Sequence, residues 1–134
     1  VLMFQGMEGY DDVRPGYTKV AEWDAASGSD AQGDDAGSDG ASFDDFEIET
    51  AEYGMDLEEE DLAVDDVAAD SARITEEVLA GERDDAFADA VAVNAALRIY
   101  AREDADSIEE GLDAAREAID DGSAMAVLED LRAF

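Results

Sequence analysis

The sequence predicts an α/β chain in which a few strands are followed by three to four helices. Two observations carry this. Residues 1–4 form an apolar run, and residues 17–23 and 46–50 alternate in period two with β-branched and aromatic side chains. From residue 67 onward, apolar side chains instead return every three or four positions, the spacing of a half-buried helix. Composition agrees with a folded chain. Of the 134 residues, 46% are hydrophobic, so a net charge of −31, from 39 Asp and Glu against 8 Lys and Arg, does not by itself imply disorder.

The chain does not open on Met. Val1-Leu2-Met3-Phe4 reads as a buried strand already under way, closed by Gln5-Gly6, and the chain reads as the C-terminal part of a longer protein. Residues 7–16 hold Gly9, Asp11, Asp12, Pro15 and Gly16 and read as a loop. Residues 17–23 read as a strand that pairs with residues 46–50. Between them, residues 24–45 are rich in Asp, Gly, Ser and Ala, with no Lys or Arg. Their apolar surface is too small to offset the entropy of ordering, which predicts a flexible acidic insertion at a hairpin tip.

After Tyr53-Gly54 the chain turns helical. Val67, Ser71, Ile74 and Val78 share one face, Asp65 or Asp66 caps the start, and Gly81 stops the helix. The next helix spans about residues 85–102 with the seam Ala86, Ala90, Val93, Leu97 and Tyr100, whose small alanines predict close helix packing. Ser107-x-x-Glu110 is a capping box for a third helix striped by Ile108, Leu112, Ala115 and Ile119 and ended by Gly122. Ser123 is expected to cap a last helix carrying Met125, Leu128 and Leu131.

Composition also excludes chemistry. With no Cys and no His there is no disulfide, no thiolate nucleophile, no histidine base and no zinc site of the usual ligands. No apolar run approaches the ~20 residues that span a bilayer, and no signal-peptide pattern is visible. A cytoplasmic protein with no membrane partner is the expectation. The charge argues against nucleic acid, itself a polyanion, as a partner.

Acid spread along the whole chain, with a single Lys, resembles the proteins of extreme halophiles. At ~1 M salt the Debye length is about 3 Å, which screens much of the self-repulsion. The fold is therefore expected to weaken in low salt. A melting temperature that is the same in ~0.1 M and ~3 M KCl would refute this.

The candidate site is the loop Gly6-Met7-Glu8-Gly9-Tyr10-Asp11-Asp12. It follows a strand, and in open α/β sheets ligands bind beyond strand C-termini. Adjacent carboxylates at Asp11 and Asp12 suit Mg²⁺, a hard cation that takes carboxylate and phosphate oxygens. The spacing alone is a weak signal, because Asp-Asp also occurs at residues 34–35, 44–45, 65–66, 84–85 and 120–121. On that evidence a merely acidic loop stays an open alternative. The stretch 24–45 lacks the twelve-residue pattern of a calcium loop. Asn94, inside an apolar seam, must be hydrogen-bonded and is expected to tie its helix to a neighbouring backbone.

In order and spacing, these segments resemble the C-terminal part of the anthranilate phosphoribosyltransferase family, of the glycosyltransferase family 3 type. The resemblance rests on Gln5-Gly6, Glu8-Gly9-Tyr10-Asp11-Asp12, Thr18-Lys19-Val20-Ala21-Glu22, Ile48 through Met55 and Val78-Leu79-Ala80-Gly81. It continues in Asp89 through Ala96 and in the segment from Ser107 through Glu110-Gly111, Ala115, Ala118-Ile119 and Gly122 to Ala124. It implies a C-terminal fragment of an α/β phosphoribosyltransferase domain. Asp11 and Asp12 then take the place of the family's Asp-Glu pair, which binds the Mg²⁺ that accompanies phosphoribosyl pyrophosphate. The implied activity is transfer of phosphoribosyl to anthranilate in tryptophan biosynthesis, by a homodimer. The glycine loop and the anthranilate pocket would lie upstream, so the fragment alone is expected to be inactive.

There are departures. Gln5 replaces a His, Glu8 an Asp and Asp12 a Glu, and Arg14-Pro15-Gly16-Tyr17 is not the usual Ser/Thr-rich connection. Gln-Gly-x-Glu-Gly is similar to non-biosynthetic paralogues, some of which bind nucleic acid. A relative of the pyrimidine-nucleoside phosphorylases, which share the fold class, is a further alternative.

Overall fold

The computed structural model describes residues 1–6, 9–10, 12–24 and 42–134. Strands β1 (Leu2–Gly6), β2 (Tyr17–Asp24) and β3 (Ser42–Glu49) form an antiparallel sheet in the order β1-β2-β3. Four helices follow: α1 (Val67–Leu79), α2 (Ala86–Ala101), α3 (Ile108–Asp120) and α4 (Ser123–Ala133). This is the α/β arrangement that the sequence predicts.

Strand register explains the core. Phe4 lies opposite Val20 and Val20 opposite Phe46, so one pleated face collects Leu2, Phe4, Val20, Phe46 and Ile48. That face packs on Val93, Leu97 and Tyr100 of α2. The opening run is not a strand buried on both faces, as the sequence reading had it. Met3 is 64% exposed and β1 is an edge of the described sheet. A continuous apolar run hides the period-two alternation that the pleat imposes.

The acidic stretch also needs correction at its end. β3 begins at Ser42 rather than at residue 46, because the ladder with β2 continues through Trp23↔Phe43 to Asp24↔Ser42. Backbone pairing with a partner strand prevails there over an unfavourable composition. Residues 25–41, the bulk of the insertion, lie outside the described residues. At the other end, Thr50 leaves the sheet for a 3₁₀ turn over Thr50–Tyr53, closed by Gly54 at φ 75°.

The helix starts follow from side-chain caps. The Asp66 carboxylate accepts from Ala69 N–H and Ser107 Oγ from Glu110 N–H. Glu110 completes its box one residue early, accepting from Asp106 N–H at 2.9 Å. Asp85 accepts from Phe87 and Ala88 N–H. The Arg83 guanidinium beside Asp85, helped by those backbone donors, holds its carboxyl below the usual aspartate range. At the last helix, Gly122 at φ 80° is the N-cap and Ser123 is already helical, against the expectation that Ser123 caps. The Ser123 N–H donates to Asp121 Oδ1 at 2.8 Å, so Asp121 does that work.

The predicted stripes are shorter than their spacing implies. Ile74 and Val78 are buried, but Val67 is 70% and Leu131 69% exposed. Val67 opens α1 and Leu131 lies in the last turn of α4. α2 is apolar on two sides. Val93 and Leu97 belong to the core under the sheet, while Ala92 and Ala96 are buried where α3 packs. Gly111 of α3 lies so near Ala96 that a Cβ there would stand 2.6 Å from the Ala96 carbonyl oxygen. Among the described residues no helix is long and apolar enough to cross a membrane.

Candidate functional site

The connection from β1 to β2 is held at three separate places. At its start, Gly6 N–H donates to the Tyr10 carbonyl at 2.8 Å. A Cβ on buried Gly6 would lie 3.3 Å from both the Tyr10 and Asp12 carbonyl oxygens, so glycine lets the turn fold back on the strand. Gly9 supplies a positive φ of 86° for that turn.

At its centre, Val13 is 2% exposed and joins the core. Asn94 of α2 grips its backbone on both sides. Asn94 Oδ1 accepts from Val13 N–H and Asn94 Nδ2 donates to the Val13 carbonyl, each at 2.9 Å. The same Nδ2 donates to the Ala90 carbonyl at 2.9 Å, so both polar ends of the half-buried amide are used. This is the structural tie expected of Asn94. At its end, Gly16 at φ 90° turns the chain into β2, and its carbonyl accepts from Thr50 N–H at 3.3 Å.

Asp12 sits between the first two attachments. Its side chain is 46% exposed, and Oδ1 accepts from Arg14 Nε at 3.3 Å. The Arg14 guanidinium lies 3.8 Å over the Tyr10 ring and 3.6 Å from Glu59 Oε2. Asp11, the other predicted metal ligand, lies outside the described residues, as do Met7 and Glu8. Tyr10 lies in the loop that the sequence singles out, but Arg14 and Glu59 were not expected in this group. The available signal was that Arg14 is the single cation between residues 1 and 18.

The antiparallel sheet changes why the loop is a candidate. It is a connection within an antiparallel meander, not the crevice of a parallel sheet, so the rule about strand C-termini does not apply to the described strands. Among the described residues no three His, Cys, Asp or Glu are arranged to hold a metal. The donor chemistry nevertheless fits Mg²⁺, which keeps several waters and takes one or two carboxylates together with substrate phosphates. A half-exposed Asp12 oxygen on an anchored loop is a donor of that kind.

In two other concave regions the arginines or a tyrosine are paired within the chain. A cleft of about 380 Å³ beside α2 and α3 is lined by Arg83 and Arg116. Arg83 is bound to Glu77 at 2.7 Å, and Arg116 to Asp89 at 3.3 Å. A second, of about 280 Å³, holds Tyr53, Tyr100 and Glu22. There the Tyr100 hydroxyl donates to Glu22 Oε2 at 3.0 Å, tying α2 to β2. Burial first, and then the Glu22 carboxylate, pushes that hydroxyl above the usual tyrosine range.

The sequence of the chain as a whole is similar to that of known proteins. The family described as "Glycosyl transferase family, a/b domain" matches residues 1–125, and the chain belongs to that family. Particular relatives share one name. An anthranilate phosphoribosyltransferase of Oceanobacillus iheyensis is 39% identical over 83 residues, which are 62% of this chain and 24% of that protein. One of Natronomonas pharaonis is 46% identical over 57 residues, 42% of this chain and 17% of that protein. One of Thermomicrobium roseum is 40% identical over 79 residues, 59% of this chain and 22% of that protein. The chain thus matches about a quarter or less of the length of these curated relatives.

Proposed function

We propose that this chain is the C-terminal part of an anthranilate phosphoribosyltransferase. The full-length protein would transfer phosphoribosyl from phosphoribosyl pyrophosphate to anthranilate, in a Mg²⁺-dependent step of tryptophan biosynthesis. The family supplies the reaction class. One structural observation carries the site: Asn94 clamps Val13 and so presents the adjacent Asp12 carboxylate on a fixed backbone. Fixing the donor in advance lowers the cost of ordering it around a ligand.

In this reading Asp12, with Asp11 beside it, would hold Mg²⁺. When bound, the ion neutralises charge on the pyrophosphate leaving group. The residues of this chain bind and orient. Gly6 and Gly9 shape the turn, Asn94 sets its height over α2, and α2 with α3 forms the platform beneath. The nucleophile's surroundings and the acceptor pocket would be supplied by other parts of the protein, and a cytoplasmic homodimer is the expected form.

The test uses the full-length protein in molar KCl with Mg²⁺. Loss of anthranilate fluorescence on adding phosphoribosyl pyrophosphate is followed for the natural protein and for Asp11→Ala/Asp12→Ala. Turnover is expected to fall by at least about a hundredfold in the double variant, the scale of losing one electrostatic stabiliser. No turnover by a folded natural protein would refute the transferase. It would favour the paralogue that Gln5 and Glu8 point to, a protein that binds without this reaction.

A further inference from the structure

We propose that Arg14 is an exchangeable counter-ion, resting on Asp12 while no metal is bound and turning to diphosphate oxygens once a divalent cation takes its place. The proposal rests on the transferase reading above and adds a substrate-contacting residue to it.

Arg14 is held as loosely as Arg116, which reaches Asp89 at 3.3 Å, but Arg14 also stacks on an aromatic ring. Arg83 donates to Glu77 at 2.7 Å, and Arg73 to Glu77 at 3.0 Å. Arg14 reaches Asp12 only at 3.3 Å and Glu59 at 3.6 Å, longer than the 2.7–2.9 Å of a well-formed charge-assisted bond. It makes no two-pronged carboxylate pair among the described residues, and such a half-exposed pair is weak. What steadies it is the Tyr10 ring, 3.8 Å beneath the guanidinium. Stacking holds the plane of the group while leaving its N–H edge free to change acceptors.

The backbone on either side does not need to move. Val13 is fixed by Asn94, and Pro15 is buried. Charge gives the exchange a purpose. A chain of net charge −31 repels a diphosphate, and Arg14 is the cation that the loop itself contributes. Its planar fork suits phosphate oxygens. Arg14 occupies only Oδ1 of Asp12, so turning away leaves both carboxylate oxygens to a metal and the guanidinium edge to phosphate.

The experiment compares the full-length natural protein with Arg14→Gln and Arg14→Lys. Two probes are titrated: Mn²⁺ alone, followed by electron paramagnetic resonance, and inorganic pyrophosphate in saturating Mg²⁺, followed by calorimetry. Arg14→Gln is expected to bind Mn²⁺ about two- to fivefold more tightly, because a competing counter-ion is gone. It is expected to bind pyrophosphate at least about tenfold more weakly, because a charged donor is lost. Arg14→Lys, keeping the charge without the fork, should fall between on pyrophosphate. The opposite signs are the signature, since a purely structural arginine would weaken both ligands together. Parallel weakening, or unchanged pyrophosphate binding in a folded Arg14→Gln, overturns the proposal and leaves the transferase reading standing. A natural protein that binds neither probe overturns both.

Discussion

Gly111→Ala is expected to destabilise the fold by about 3 kcal/mol, and Gly111→Val to prevent stable folding. The new Cβ would stand 2.6 Å from the Ala96 carbonyl oxygen and 3.2 Å from both the Ala96 carbonyl carbon and its Cα. Those atoms are helix backbone, so no rotamer change relieves the overlap. α3 must retreat from α2, and Leu112 and Ala115 would lose part of their burial as it does. Because the obstacle is backbone, Ala96→Gly should not rescue Gly111→Ala. Urea unfolding in molar KCl, followed by far-UV circular dichroism, measures this. A Gly111→Ala protein within about 0.5 kcal/mol of the original would show that the helices separate freely, contrary to this account.

Asn94→Leu is the second large effect. The residue is similar in size, but it leaves the Val13 N–H and carbonyl without their partner. An unsatisfied buried backbone group costs about 1–3 kcal/mol, so a loss of about 2–5 kcal/mol is expected for the pair. Asn94→Asp separates the two halves of the clamp. It can still accept from Val13 N–H, but when ionised it cannot donate to the Val13 and Ala90 carbonyls. Amide hydrogen exchange at Val13 should accelerate in both variants by more than at Val20, deep in the sheet. In the full-length protein Mn²⁺ affinity should fall about tenfold, the scale of losing a group that positions a ligand. Faster exchange with unchanged affinity would separate loop anchoring from metal binding.

Both predictions concern features that the sequence shows only in outline. The alanines of the seam Ala86, Ala90, Val93, Leu97 and Tyr100 announced close helix packing, but the alanines buried in α2 are Ala92 and Ala96, outside that seam, and nothing in the sequence says that Gly111 meets Ala96 or that the gap is too small for a methyl. Asn94 in an apolar seam announced a hydrogen-bonded amide, since a bare buried amide is too costly. Its partner, Val13, lies 81 residues away and only the fold brings it there. Arg14 was visible only as an odd residue in its connection. Its stacking on Tyr10 is a fact of the turn, not of composition.

What the sequence determined by itself was local. Period two against period 3.6 separated strands from helices, Asp65 or Asp66, Asp85 and Ser107 marked approximate helix starts, and ordered motifs resembled the family that the chain belongs to. These signals are set by neighbours within about one helical turn, where sequence and space coincide. Tertiary structure alone decided that the sheet is an antiparallel meander, that β3 reaches back to Ser42, and that Val67 and Leu131 stay in water. It also decided that Asp12 stands on a backbone fixed from α2. Each of these depends on which surface arrives opposite, because burial and pairing are properties of two segments and are written in neither one alone.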